Sequence, residues 1–221
     1  MIAGELLVDL DVKDSTAGTA TWDNKGSLGD FNEQGNPKKE MSGGNEAVVF
    51  DGNDTYVGPD STPTIEGDDD RSIEVWVMNP GIISEETMVS WSDRQGFLEA
   101  TMVSFNYGSN LVYGAVTHMD SPDLAWGSMS ADVPPQSQWH HLAYTHDGTT
   151  ARVFADGVQK TAKPVTLKTK MGHSINIAAQ RIGSTFTLHG SLSIAVVRIH
   201  SGALTAAEVK ANYDLEKTRF Q

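Results

Sequence analysis

The 221 residues include no cysteine, which excludes disulfide staples, thiolate metal centres and thiol nucleophiles. The absence leaves the compartment open, because proteins that work outside the cell can also dispense with disulfides. Basic residues are scarce: 16 Lys and Arg face 29 Asp and Glu, a net charge of −13. That balance argues against nucleic acid and anionic membranes as partners. No apolar run approaches the ~20 residues that a membrane span needs. The opening Met1-Ile2-Ala3-Gly4 lacks the basic and long apolar regions of a signal peptide. No Gly-x-Ser-x-Gly elbow offers a serine nucleophile. With no internal repeat, low-complexity tract or linker, the expectation is one domain over 1–221, large enough to bury a core without staples.

What the chain does have is short extended runs punctuated by turns. Trp139-His140-His141-Leu142-Ala143-Tyr144-Thr145-His146 and Ala151-Arg152-Val153-Phe154-Ala155 are filled with apolar, aromatic and β-branched residues, and each stops at an Asp-Gly pair. Asp-Gly suits tight hairpins because those turns need positive φ, which Gly adopts without steric cost. An opening strand is expected at 5–12. Further strands are expected at about 48–57, 71–78, 86–92, 98–106, 110–117, 138–146, 151–156 and 192–200, with shorter candidates near 164–167 and 174–179. Residues 13–47 are polar and Gly-rich, with Trp22, Leu28 and Phe31 as isolated anchors, and read as a long ordered excursion with one short strand. This spacing is that of a two-sheet sandwich. One helix is expected: Thr205 and Glu208 form a capping box, and Val209, Tyr213 and Leu215 follow at helical spacing. It should lay one face against a sheet edge.

Four segments resemble the laminin-G-like domains of the concanavalin A-like superfamily. They are Val49-Phe50-Asp51-Gly52-Asn53-Asp54-Thr55-Tyr56-Val57, Ser72-Ile73-Glu74-Val75-Trp76-Val77, the two runs around residues 139–157, and Val197-Arg198-Ile199-His200-Ser201-Gly202-Ala203-Leu204-Thr205 with the helix after it. The resemblance implies an all-β, two-sheet antiparallel jelly-roll sandwich with a short C-terminal helix. It also implies roles outside the cytoplasm, in carbohydrate binding, in adhesion between proteins, or in glycoside hydrolysis.

Hydrolysis finds little support. The hydrolases of the superfamily carry a Glu-x-Asp-x-x-Glu array, which this sequence lacks. Glu85 and Glu86 are adjacent and would point to opposite faces of a strand, and Asp9 and Asp11 share a face without a third acid nearby. His140 and His141 read as part of the fold's own motif for the same reason of alternation. The family often carries one structural calcium. Here Asp51, Asn53 and Asp54, or Asp68, Asp69 and Asp70, could offer it oxygen ligands, although a carboxylate common in the family's late strand is replaced in Ile194-Ala195-Val196-Val197-Arg198. No other cofactor is expected.

Sugar sites pair an aromatic face with directed polar groups, and 91–126 has that mixture. Trp91, Arg94, Asn106, His118, Asp123 and Trp126 are therefore the expected ligand-binding residues. Arg94 would fork to hydroxyls or a carboxylate, Asn106 and Asp123 would bond hydroxyls, and Trp91 or Trp126 would stack. The expected protein is a non-catalytic module that binds carbohydrate or glycoprotein. It would sit in an extracellular, cell-surface or periplasmic multidomain protein whose leader lies outside this sequence.

Overall fold

The structure is a computed structural model that describes residues 1–14, 20–81, 85–94, 100–109, 112–118, 123–128 and 135–221. Its central strand is β7 (Arg71–Met78), flanked antiparallel by β13 (Trp139–His146) and β19 (Ser193–His200). Every residue of β7 is buried, because both faces of the strand are covered. Successive side chains alternate sides. Ile73, Val75 and Val77 join Leu142, Tyr144, Val197 and Ile199 in the core between the sheets. Ser72, Glu74 and Trp76 turn outward, toward the C-terminal segment that carries α1 (Ala206–Phe220).

The first sheet continues from β13 into β14 (Thr150–Ala155) and β15 (Val158–Pro164). On the other side, β19 is shared by β1 (Leu6–Asp11) and β5 (Asn45–Val49), and β5 pairs with β4 (Lys38–Ser42). The second sheet runs β10 (Gly108–Ser109), β11 (Val112–Thr117), β9 (Val103–Asn106), β8 (Thr87–Trp91), β16 (Ser174–Ile177), β6 (Thr55–Asp60), β3 (Phe31–Gln34) and β2 (Thr21–Trp22), with β12 (Leu124–Ser128) also on β11. A small hairpin, β17 (Gln180–Ile182) and β18 (Thr185–Thr187), stands apart. Every described pairing is antiparallel, and the two large sheets form the sandwich expected from the spacing. Among the described residues no helix is long and apolar enough to cross a membrane.

The Asp-Gly pairs close the hairpins as their chemistry requires. Between β14 and β15, Asp156 has φ 51° and Gly157 φ 75°. A Cβ on Gly157 would come within 2.7 Å of Lys210 on α1, so close helix approach adds a second reason for glycine there. Between β13 and β14, Asp147 Oδ1 accepts the N–H groups of Thr149 and Thr150.

The structure departs from the sequence reading at several places. The run 48–57 is two strands: β5 ends at Val49 in one sheet and β6 begins at Thr55 in the other. Asp51-Gly52, with Gly52 at φ 92°, is the corner that sends the chain across. The excursion 13–47 contributes β2, β3, β4 and most of β5, anchored by the buried Trp22 and Phe31. Strand β15 was missed and the short strand expected at 164–167 is absent; Val165 and Leu167 are buried there without forming one. Parts of the expected strands 98–106 and 110–117 lie outside the described residues.

Helix α1 begins at its capping box, with Glu208 N–H donating to Thr205 Oγ1 and Thr205 N–H to Glu208 Oε2. It lies across the outer face of the first sheet, not along an edge. Val209, Asn212 and Phe220 are buried, whereas Leu215 is 74 % exposed, so the packing face is rotated away from Leu215. Phe220 stacks on Trp76 at 4.2 Å between centroids, and Trp76 Nε1 donates to Glu216 Oε2 at 2.7 Å. Arg198 bridges Asp9 and Glu216, and Arg219 forks onto Asp11 at 2.6 and 2.9 Å. Asp9 and Asp11 thus share a face, as alternation requires, and both clamp the helix.

Beneath α1 lies a buried carboxylate. Glu74 accepts from Asn212 Nδ2 at 3.1 and 2.9 Å, His200 Nε2 lies 3.1 Å from Oε2, and His141 Nε2 lies 3.3 Å from Oε1 in a poorly aligned ionic contact. Burial by itself pushes the Glu74 pKa up. The adjacent imidazoles of His141 and His200 more than reverse this and hold it well below the ordinary carboxylate range. A depressed folded-state pKa contributes stability above the unfolded value, here 4.5, which is lost as pH falls toward the folded value. Glu74→Gln is therefore expected to cost about 3 kcal/mol at pH 7 by removing one partner of a buried pair. The deficit should shrink as pH drops below 4.5. Urea denaturation of both proteins at neutral and acid pH checks this; parallel curves would mean that the carboxylate charge carries no stability.

Candidate functional site

Two neighbouring strands of the second sheet end in the same unusual way. After β8, Ser92 takes φ 70°, and after β16, Ala178 takes φ 66°. Positive φ strains a residue with a Cβ by roughly 1–3 kcal/mol and tends to persist where the surroundings enforce it. Two residues beyond each bend stands a side chain of one polar network: Arg94 after Ser92 and Gln180 after Ala178. Backbone bonds lock the bends, with Arg94 N–H donating to Arg181 O at 2.8 Å and Ala178 N–H to Met88 O at 2.9 Å. Asp93 accepts Gly183 N–H and so ties the β17–β18 hairpin to the end of β8.

Glu85, just before β8, is the hub of the network. Its Oε1 accepts from Gln180 Nε2 at 2.9 Å, Asn106 Nδ2 at 3.3 Å and Thr117 Oγ1 at 3.4 Å, and Arg94 Nη1 lies 3.4 Å from both oxygens. Arg94 Nη1 also donates to Gln180 Oε1 at 2.9 Å. Behind them Asn106 Oδ1 accepts from Ser104 Oγ at 2.7 Å, and Gln180 Nε2 reaches Thr87 Oγ1 at 3.2 Å. Asn106 and Gln180 are fully buried, whereas the Arg94 and Glu85 side chains are 28 % and 18 % exposed. A hollow of about 260 Å³ opens over the exposed part, lined by Glu85, Arg94, Thr117 and Asp123, with Ala115, Val116, Leu124 and Ala125 as an aliphatic wall. The arrangement is a rigid set of hydrogen-bonding groups at strand ends, fixed from behind.

Of the expected residues, Arg94 and Asp123 line this hollow, Asn106 bonds Glu85 behind it, and Trp91, His118 and Trp126 do not line it. Trp91 is fully buried in the core, so it presents no ring face to solvent. Trp126 is 7 % exposed and lies over Gly114, where a Cβ would sit 1.8 Å from its ring. His118 is buried, its Nε2 3.1 Å from the Tyr144 hydroxyl and its N–H donating to Asp123 Oδ1 at 3.0 Å. Asn106 supports Glu85 from behind and is itself shut off from the hollow. Glu85, Thr117 and Gln180 were not expected. Alternation did separate Glu85 from Glu86, which is buried where burial pushes its pKa up, and that was the available signal that Glu85 faces elsewhere. Gln180 had no signal, because its hairpin was not legible.

Asp51, Asn53 and Asp54 are not gathered into the oxygen cage that Ca²⁺ prefers. Exposed Asp51 accepts from Asn53 N–H at 2.9 Å, while buried Asp54 turns to Asn36 N–H at 2.7 Å. Asp68 accepts Leu167 N–H, and Arg71 is wrapped by the carbonyls of Glu66, Gly67 and Asp69, so the second acidic cluster serves as a structured loop. Among the described residues no group of three His, Cys, Asp or Glu is placed to hold a metal ion. His140 and His141 face opposite ways: His140 Nδ1 lies 2.8 Å from Asp156 Oδ2, and His141 meets Glu74.

Ser92 carries two burdens, positive φ and an Oγ that is buried without a hydrogen-bond partner among the described residues. Ser92→Gly should remove the strain and the unsatisfied hydroxyl, partly offset by about 0.5–1 kcal/mol of glycine entropy. A net gain of about 1 kcal/mol or more is expected in urea unfolding. Unchanged or lower stability would mean that the bend costs nothing.

No curated protein sequence matches the chain. Solved structures do. Domain 4 of an extracellular arabinanase from Geobacillus stearothermophilus, in complex with arabinotriose, superposes with a TM-score of 0.66 at 18% identity, covering 95% of this chain and 98% of that one. A Trypanosoma rangeli sialidase in complex with 2,3-difluorosialic acid gives 0.66 at 14% identity over 96% of this chain and 33% of its own. The binding domain of botulinum neurotoxin serotype D gives 0.64 at 12% identity, over 96% and 52%. At such identities the likeness is one of fold. Residues 51–210, most of the chain, match the sequence profile of the third laminin-G family, described as the concanavalin A-like lectin/glucanases superfamily. The chain belongs to that laminin-G-like family of the concanavalin A-like lectin/glucanases superfamily.

Proposed function

We propose that the chain is a non-catalytic carbohydrate-binding module, part of a larger extracellular or surface protein. The observation that carries the reading is the hollow over Glu85, Arg94, Thr117 and Asp123. There, Glu85 and Arg94 are held in place by the buried Gln180 and Asn106 behind them, and Asp123 by the His118 N–H. A preformed hollow with a few convergent polar groups and an apolar wall is the common form of a small-ligand site. Fixing those groups before binding lowers the ordering cost of association. The same fold in an arabinanase domain solved with arabinotriose supports a sugar as the ligand.

A hydrolase would need one carboxylic acid to give up a proton and a second carboxylate beside the scissile bond. Two carboxylates, Glu85 and Asp123, do line the hollow. Glu85, however, accepts from four donor side chains, Arg94 among them. Its surroundings use it as a fixed acceptor, which favours binding without turnover.

A glycan array followed by titration of the hits tests the proposal. Arg94→Ala removes one donor at the hollow and frees Glu85, and should weaken binding by about 1–3 kcal/mol, or roughly 5- to 150-fold. Arrays without a hit, or an Arg94→Ala protein that binds every hit as well as the parent, would defeat the reading. Release of reducing sugar from a bound oligosaccharide would defeat its non-catalytic part.

A further inference from the structure

From the size and charge of this hollow we infer that the module recognises a single uncharged sugar residue, such as one at a chain terminus, and discriminates against acidic sugars. The inference rests on the carbohydrate reading above and goes further by naming the ligand's class. At about 260 Å³ the hollow falls below the ~300–1,000 Å³ of sites that enclose drug-sized ligands, so it has room for one ring and not for a trisaccharide.

The charges decide the rest. Among the described residues the one cation in the lining, Arg94, already faces a carboxylate: its Nη1 lies 3.4 Å from both oxygens of Glu85 and donates to Gln180 Oε1. An incoming carboxylate therefore meets a guanidinium whose charge Glu85 already offsets. It also meets Asp123, an exposed acid whose Oδ1 is occupied by the His118 N–H. Lys163 stands nearby, but its ammonium bonds the Asp123 carbonyl at 3.3 Å, and the residue does not line the hollow. With Glu85 and Asp123 against Arg94, the described residues of the lining carry one surplus negative charge on a chain of net −13. Like charges brought together at an interface suppress a partner.

A neutral sugar meets complementary groups. Carboxylate oxygens and Thr117 Oγ1, whose hydrogen goes to Glu85, accept from hydroxyls, while Arg94 donates to them. The C–H face of the ring can rest on the wall of Ala115, Val116, Leu124 and Ala125. Trp91 and Trp126 are buried and no aromatic ring lines the hollow among the described residues, and the proposed selectivity rests on polar geometry and charge.

The test is a titration of the labelled chain, followed by amide NMR shifts, with three sets of methyl glycosides. The neutral set is arabinofuranoside, galactoside and glucoside; the acidic set is glucuronide and N-acetylneuraminide; the cationic set is glucosaminide. The expected result is that a neutral member shifts amides around Thr117 and Ala125 and that the acidic members bind roughly tenfold more weakly, the scale of one partly screened like-charge contact. The cationic member should bind no worse than its neutral parent. Asp123→Asn, which keeps an acceptor for the His118 N–H, should narrow the neutral-to-acidic ratio severalfold. Acidic sugars that bind as tightly as neutral ones, or a ratio unmoved by Asp123→Asn, would overturn the selectivity while leaving carbohydrate binding intact. If no sugar in any set shifts these amides, the carbohydrate reading fails and the selectivity with it.

Discussion

Strand β7 must be covered on both faces, and much of the architecture follows from that requirement. Its inward residues, Ile73, Val75 and Val77, are ordinary sandwich core. Its outward residues include a carboxylate and an indole N–H, which cannot be buried without partners. Helix α1 supplies them: Asn212 to Glu74 and Glu216 to Trp76, while β13 and β19 bring His141 and His200. The helix is thus the lid of a polar layer as well as an apolar cover. Its capping box, its stacking of Phe220 on Trp76 and its clamps to Asp11 and Arg198, the latter held in turn by Asp9, all serve that closure.

The second sheet is built differently, and the candidate site lies at its strand ends. Its inner face is packed with Val89, Phe105, Ile175 and Ile177, but its strand ends carry a buried network of Ser, Thr, Asn and Gln side chains. Such networks rigidify a site when every member is paired. Here the pairing converges on Glu85 and Arg94, which reach the hollow together with Thr117. The positive-φ residues Ser92 and Ala178 stand just upstream of Arg94 and Gln180. Backbone strain on both approaches to one network is the kind of local cost that a fold tolerates where geometry matters more than stability.

Legibility in the sequence followed the kind of signal. Strands with β-branched and aromatic runs, such as β7, β13 and β19, could be read directly, as could the hairpins closed by Asp-Gly and the capping box at Thr205. Edge strands could not. In β4, Lys38–Ser42, and in β15, Val158–Pro164, polar residues dominate because one side of the strand meets solvent, and the period-2 pattern disappears. The turn within 48–57 was visible as Asp51-Gly52, but only the partner strands decide that it changes sheets. Of the site, Arg94 and Asp123 were legible as polar residues at strand ends, whereas Trp91 and Trp126 misled because a tryptophan beside polar residues looks the same in sequence whether it lines a cleft or fills a core.

Composition, alternation and turn chemistry by themselves determined an acidic, cysteine-free, antiparallel sandwich with one capped helix, because those features act between residues a few positions apart. Only the tertiary structure decided which polar residues meet. Glu85, Arg94, Asn106, Thr117 and Gln180 are separated by up to 95 positions, and their contact depends on the order of β8, β9, β11 and β16 in one sheet. The same holds for Glu74 with His141, His200 and Asn212. Side-chain chemistry can be read one residue at a time, but a site is a set of distances, and those are fixed by how the strands are laid beside one another.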